Sequence, residues 1–206
     1  MVHAGPVSDP LAWSQHVTSW RREVHDLYAR VRAESDPATA HELWVAERTR
    51  MFETHPATAK QEGQSLRHAA YDPAFRFVVE PVAAEPEEWR PPTGTDGEVP
   101  FERVGRLELP GLGGLDIWWL KSYGNGIFVP IRDASAGPVT YGAGRYVLDT
   151  VKGADLGQDG DDWVVDLNFA YNPSCAYDPA WACPLAPAGN RIDVEVPVGE
   201  LNVADG

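Results

Sequence analysis

The strongest constraint on the fold of this chain is a change of hydrophobic period near residue 70. Before it, apolar residues recur at helical spacing; after it, they come in short runs cut by glycine turns. Across residues 9–34, Trp13, Val17, Trp20, Val24, Leu27 and Val31 follow steps of four and three, the apolar stripe of an amphipathic helix. Ser8 or Asp9 can cap its start, Pro10 suits an early helical position, and Ser35-Asp36-Pro37 ends it. A second helix is predicted over 38–54, with Leu43, Trp44, Val45, Met51 and Phe52 on its apolar face. His55-Pro56 stops it, because the residue before proline is pushed out of the helical region. From Tyr71 onward, strand-like runs cover 75–80, 101–109, 115–121, 126–131, 140–141, 145–150, 163–167 and 192–198. Turn signals such as Gly111-Leu112-Gly113-Gly114 and Gly124-Asn125-Gly126 separate them. This spacing predicts an antiparallel barrel or roll of about 7–9 short strands. The stretch 83–98, rich in Pro, Glu, Gly and Thr, reads as an exposed loop. The expectation is an α+β, mainly β chain: a helical arm over 1–60 against a β-barrel-like part over 61–206, in one compact unit.

Charge and composition remove whole classes of partner. The formal charge of −14 opposes nucleic acid, whose binding requires Lys and Arg to displace counterions, and equally opposes an anionic membrane surface. The first twenty residues show neither a basic start nor a continuous apolar stretch, and no run is long enough to span a membrane. A cytoplasmic location is the expectation, with both cysteines as thiols. Neither composition nor spacing indicates an oligomeric state.

The segment 166–190 is the most unusual part of the chain. It holds both cysteines, Cys175 and Cys183, and the two Tyr-x-Pro units at Tyr171 and Tyr177, between two strand-like runs. Long loops in compact domains are functional or disordered, and a tract with Tyr171, Tyr177, Trp181 and Leu185 is too apolar for disorder. An ordered Pro/Cys loop is therefore expected. Cys-x7-Cys is not a zinc spacing, and every histidine falls in the first third of the chain, so no metal site is predicted.

Polar residues collect at strand ends around this loop. Arg132 and Asp133 are neighbours, so only one can face inward. Thr140-Tyr141-Gly142-Ala143-Gly144-Arg145-Tyr146 allows a sharp bend that delivers Arg145, which could grip a carboxylate or phosphate or close an internal salt bridge to Asp166 or Asp149. Asp166 and Asn168, two apart, would share a strand face, followed by Tyr171 and Asn172.

These segments, together with Trp44, Arg48, Phe52, His55-Pro56 and Tyr71-Asp72-Pro73-Ala74-Phe75-Arg76, resemble DUF1684, a bacterial and archaeal family of unassigned activity. The likeness spans about residues 15–200 and is most specific from Arg145-Tyr146 through Asn190-Arg191. Ala186 stands where the family pattern has proline, and Gly189 where it has glutamate. What the resemblance implies is a shared, mostly polar motif at Arg132, Asp133, Tyr141, Arg145, Asp166, Asn168, Tyr171, Asn172, Cys175 and Cys183.

Three readings stay open at the level of sequence. One is a small-molecule binding barrel for a small anionic or polar ligand, with Arg132, Asp133, Tyr141, Arg145, Asp166, Asn168, Tyr171, Asn172, Cys175 and Tyr177 around a pocket closed by 171–190. Another is an enzyme using that pocket. It would either bind a flavin through its phosphate at Arg145, a cofactor no motif specifies, or act as a hydrolase or isomerase with Asp166 as base and Tyr141 or Tyr171 as acid. The last is structural: Asp166 pairs with Arg132 or Arg145, and asparagine side chains satisfy the loop backbone.

Overall fold

The computed structural model describes residues 9–93 and 97–205. Two helices open it, α1 (Pro10–Ala33) and α2 (Pro37–Thr54). Each begins by the same device. The Asp9 carboxylate accepts from the backbone N–H groups of Leu11 and Ala12, that of Asp36 accepts from Thr39, and a proline follows each cap. Proline costs nothing there, because its missing N–H would have had no helical partner. The alternative cap Ser8 lies outside the described residues.

Among the described residues eleven strands follow: β1 (Gln64–Ser65), β2 (Arg76–Val79), β3 (Val82–Ala83), β4 (Glu88–Trp89), β5 (Phe101–Leu109), β6 (Gly113–Leu120), β7 (Ile127–Ile131), β8 (Arg145–Asp149), β9 (Gln158–Asp159), β10 (Asp162–Asp166) and β11 (Ala204–Asp205). Every ladder between them is antiparallel. The main sheet runs β3-β5-β6-β7-β8, with β4 also on β5; β2-β10-β9 forms a second sheet and β1-β11 a third. No pairing closes the main sheet into a barrel among the described residues. The strand total exceeds the expected number because five of these elements are only two residues long. One of them, β4, lies inside the predicted loop 83–98: Trp89 stacks on Phe101 at 4.9 Å, and that apolar contact holds the segment to the sheet.

Two predicted strands are absent as elements. Residues 140–141 make only an isolated bridge, from Thr140 to Ala136. Residues 192–198 run beside 132–134, but the Val196 N–H goes to the Asp133 carboxylate, and the Val196 and Val198 carbonyls accept from Arg145. With those backbone groups spent on side chains, no ladder can propagate.

The core falls into adjoining clusters. Leu107, Leu115, Ile117, Val129, Ile131, Val165 and Leu167 fill the space between the sheets. Leu27, Tyr28, Val31, Trp44 and Met51 join the helices to Ala154, Leu156 and Phe169. Phe52, Ala59, Tyr177, Trp181 and Cys183 pack the Pro/Cys loop beneath α2. No helix of the described residues is long and apolar enough to cross a membrane.

Candidate functional site

The lower half of the α1 stripe is not fully buried. Val17, Trp20 and Val24 face a gap that is closed on its other sides by Phe52 of α2, by Ala57 and Ala59, and by Tyr171, Asn172, Pro173, Ser174 and Trp181 of the Pro/Cys loop. The resulting cavity measures about 90 Å³. Six of its seventeen lining residues are aromatic. Trp20 meets Phe52 edge-on at 5.2 Å, and Tyr171 meets Tyr146 at 5.6 Å. Arg48 reaches the wall from α2, Lys152 from the turn after β8, and the exposed Arg21 from the rim. Arg21 and Lys152 also border a shallower depression of about 340 Å³ lined by Phe101, Phe128 and Pro184.

Arg48 is held from two directions. Its guanidinium lies 4.6 Å from the Phe52 ring centre and 4.8 Å from that of Tyr171. It donates to both oxygens of Glu200, at 2.5 and 3.1 Å. Glu200 is fully buried and also accepts from the backbone N–H of Asn172 at 2.6 Å and the Tyr177 hydroxyl at 3.2 Å, while His68 Nε2 sits 3.4 Å away. Burial pushes the Glu200 carboxyl upward, but Arg48, by charge and hydrogen bond, and the nearby His68 outweigh it and hold the group down at about 2. The same carboxylate lifts the Arg48 pKa even though burial lowers it. Glu200 thus remains an anion inside the protein, and it fixes Arg48, Asn172 and Tyr177 together.

Asn172 carries the polar feature of the cavity. Its Nδ2 donates to the Leu201 carbonyl at 2.8 Å, which sets the orientation of the amide. Its Oδ1 is buried, with no hydrogen-bond donor among the described residues. A buried acceptor left unpaired costs on the order of 1–3 kcal/mol.

The residues expected from sequence to surround one pocket do not gather in one place. Arg145 and Asp133 form an ion pair at 3.1 Å, with side chains 0% and 1% exposed. Arg145 spends its remaining Nη protons on the carbonyls of Val196, Val198 and Glu200. Asp133 accepts from Ser135, Thr140 and the Val196 N–H. Burial raises the Asp133 carboxyl, yet Arg145 and these donors hold it below its usual value. The guanidinium is enclosed by protein groups, so a ligand or flavin phosphate has no approach to its Nη atoms. The bend that brings Arg145 here requires glycine: Gly144 has φ +97°, and a Cβ on it would stand 2.7 Å from the Ile131 carbonyl oxygen. Arg132 turns the other way, half-exposed, and donates to the Gly142 carbonyl.

Asp166 and Asn168 clamp a different segment. Asp166 accepts from the Asn168 backbone and amide and from the Tyr71 hydroxyl, and Asn168 bridges both backbone groups of Asp72. Burial raises the Asp166 carboxyl, against the pull of Asn168, Tyr71 and Arg76. Its phenolic partner is thus Tyr71, not Tyr141 or Tyr171, and Arg76 at 3.8 Å is its nearby cation, not Arg132 or Arg145. Tyr141 donates instead to the Cys175 carbonyl at 3.3 Å. Tyr171 and Asn172 do line the cavity, and Tyr177 reaches it through Glu200. Cys175 and Cys183 are free and pack with Tyr177 and Trp181.

At the far end of the loop, Asn190 donates to the Asp116 and Pro130 carbonyls and accepts from the Trp118 indole at 2.7 Å. The departure at Gly189 has a local cause. A Cβ there would lie 1.9 Å from Asp116 Oδ2, and Asp116 itself pairs with Arg103 and Arg106.

Arg48, Glu200, His68 and Lys152 were not marked by the sequence as site residues. Arg48 and Glu200 are 152 positions apart, with no local signature joining them. Two signals pointed to Arg48: its place among the residues of the family resemblance, and its position on the apolar side of α2, between Trp44 and Phe52 at helical spacing.

Comparison with known proteins places the chain beside proteins of unassigned activity. A family model described as "Protein of unknown function (DUF1684)" matches residues 62–201. A solution NMR structure of an uncharacterized protein from Haloarcula marismortui is similar at a TM-score of 0.53 and 28% identity, covering 76% of this chain and 89% of that one. No curated protein matches.

Proposed function

The chain belongs to the DUF1684 family, and from the geometry its members' motif takes here we propose that it binds a small molecule between α1, α2 and the Pro/Cys loop. The observation that carries this reading is Asn172, a lining residue of the cavity whose buried Oδ1 has no donor among the described residues. A ligand N–H or O–H would satisfy it and recover the cost of leaving it unpaired. The volume of about 90 Å³ lies below the roughly 300 Å³ at which pockets for drug-sized ligands begin. Only a compact group, no larger than one small ring, enters fully.

Charge defines the other end of the ligand. Arg48 is already neutralised by Glu200, and Lys152 by Asp149 at 2.9 Å. Arg21 has no ion-pair partner among the described residues and stands at the rim. An anionic or strongly polar end therefore belongs at Arg21, with the ring against Trp20, Phe52 and Tyr171. In this reading Arg145, Asp133, Asp166 and Asn168 hold the loop in place, while Asn172 and Tyr171 meet the ligand.

Native mass spectrometry of freshly purified protein, paired with thermal-shift titration using benzoate and 4-hydroxybenzoate, tests this. The reading expects a co-purifying small molecule or a dose-dependent rise in melting temperature that Val17→Trp, which fills the cavity from a half-exposed wall, abolishes. Neither probe nor bound mass, or a shift that persists in Val17→Trp, would overturn it.

A further inference from the structure

The aromatic cavity does not stop at its cationic rim. Arg21 and Lys152 border both this cavity and the larger depression of about 340 Å³. One row of rings joins the two spaces. Tyr171 and Tyr146 line the inner one and meet at 5.6 Å. Tyr146 then meets Phe128 at 4.7 Å, and Phe128 meets Phe101 at 5.4 Å; these two line the outer one. Lys152 stands over the middle of the row, its Nζ 5.3 Å from the Tyr146 ring centre. Tyr123, in the turn between β6 and β7, borders the outer depression and is fully exposed. A solvated aromatic ring beside an apolar floor is surface that a ligand can cover.

The charge at this junction sums to a single positive one. Arg21 and Lys152 bring two, and the buried Asp149 removes one; it lies 2.9 Å from Lys152 and itself borders the outer depression. Arg48, deeper in the inner wall, is balanced by Glu200. A phosphate monoester carries roughly 1.5–2 negative charges at neutral pH and exceeds that sum. A terminal carboxylate matches it but places nothing apolar in the outer depression. One anionic group with an apolar substituent on each side matches the charge and fills both spaces.

We propose that the two spaces are compartments of one site for an organic monoanion of the phosphodiester kind, with its charge inside the molecule and not at an end. A small ring enters the inner cavity, the charged linker lies between Arg21 and Lys152, and a bulkier apolar group covers Phe101, Phe128 and Tyr123. This rests on the inner cavity being a ligand site, and it adds the place of the charge and the second substituent. The compartments can be filled separately: the half-buried Val17 borders only the inner cavity, and the half-buried Ala182 and Leu120 border only the outer depression.

Calorimetric titration with methyl phenyl phosphate and diphenyl phosphate tests this, because the two carry the same single charge and differ only in the second ring. Neither donates to Asn172, so the comparison reads the outer compartment alone. Wild type should bind diphenyl phosphate about tenfold or more tightly than the methyl ester, the worth of burying one ring. Ala182→Trp should erase that advantage and leave the methyl ester as in wild type; if it fails to fold, Leu120→Trp fills the same depression from the sheet. Arg21→Gln, on the exposed face of α1, should weaken both esters about tenfold. Equal affinities in wild type, or an advantage that survives the filled depression, overturn the proposal while the inner cavity remains a ligand site. Diphenyl phosphate that still binds Val17→Trp sits in the outer depression alone and also overturns it. If neither ester binds, the proposal falls, and the response to benzoate decides separately whether the inner cavity falls with it.

Discussion

Among the described residues two arginine–carboxylate pairs lie in the interior, and they are put to different uses. Arg145–Asp133 is sealed: both side chains are closed to solvent, and every Nη proton finds a protein oxygen. Arg48–Glu200 is half sealed: Glu200 is fully buried, but the Arg48 side chain is 12% exposed and forms part of a cavity wall between aromatic rings. The first pair substitutes for a strand ladder, tying residues 194–200 to the main sheet through side chains. The second joins a helix to the Pro/Cys loop and leaves one face of the cation toward a space. The lesson is that a buried ion pair is read by what surrounds the remaining donors: protein carbonyls make it a latch, and ring faces beside a cavity make it a wall.

The sharpest separation comes from Arg145→Met. Removing the guanidinium leaves Asp133 as a buried unpaired carboxylate and strips the donor from three carbonyls. Breaking a buried pair in this way costs about 3–5 kcal/mol. Urea unfolding should show that loss, or a chain that no longer folds. A loss below about 1 kcal/mol would mean that the latch is not what holds the C-terminal segment.

Acid titrates the carboxylate of the second pair and a histidine on the same helix as Arg48, and the sign follows from two depressed groups. Burial, then the nearby His68, lowers His41 to about 4, while the Asn168 backbone raises it. Its contribution is complete above the ordinary histidine value and is lost as pH falls toward 4, because the unfolded chain takes the proton first. Glu200 follows, its contribution lost as pH falls from the ordinary glutamate range toward about 2. The first step should cost on the order of 2 kcal/mol and the second on the order of 3 kcal/mol. Stability measured by urea titration across the acid range should fall in these two stages. His41→Phe, which keeps a ring against Trp44 and Phe169, should flatten the first. An unchanged slope in that variant would remove His41 from the account.

The difference between the pairs explains what the sequence revealed. Helices were legible because Trp13 through Val31 mark a face and Asp9-Pro10 and Asp36-Pro37 mark starts. The longer strands β5, β6, β7, β8 and β10 were legible as short strand-like runs cut by turn signals. Residues 192–198 looked like a strand because their side chains alternate, yet their backbone partners are Asp133 and Arg145, which alternation does not encode. The polar motif around Arg145, Asp166 and Asn168 is visible in the sequence as polar but its pairing is not, which leaves the ligand-binding, enzymatic and structural readings open. The structural alternative anticipated the role of asparagine: Asn168, Asn172 and Asn190 each bond loop or neighbouring backbone. It misassigned the partner of Asp166. Arg48 and Glu200 were missed because each looks ordinary alone; only the fold brings them to 2.5 Å.

The smallest expected effect is the most discriminating, because it applies one substitution to both pairs. Lysine keeps the charge but replaces a planar fork by a single ammonium with three donors. At Arg145, whose Nη atoms serve Asp133 and three carbonyls, Arg145→Lys cannot reach every partner and should approach the loss seen with methionine. At Arg48, an ammonium can still neutralise Glu200, whose other donors, the Asn172 N–H and the Tyr177 hydroxyl, remain in place. What Arg48→Lys gives up is the second hydrogen bond and the stacking against Phe52 and Tyr171, about 1–2 kcal/mol together. Chemical denaturation of the two lysine variants side by side should therefore rank Arg145→Lys well above Arg48→Lys. Equal losses would make the two pairs energetically alike and reduce Arg48 to a second latch; a larger loss at Arg48 would reverse the roles argued for them.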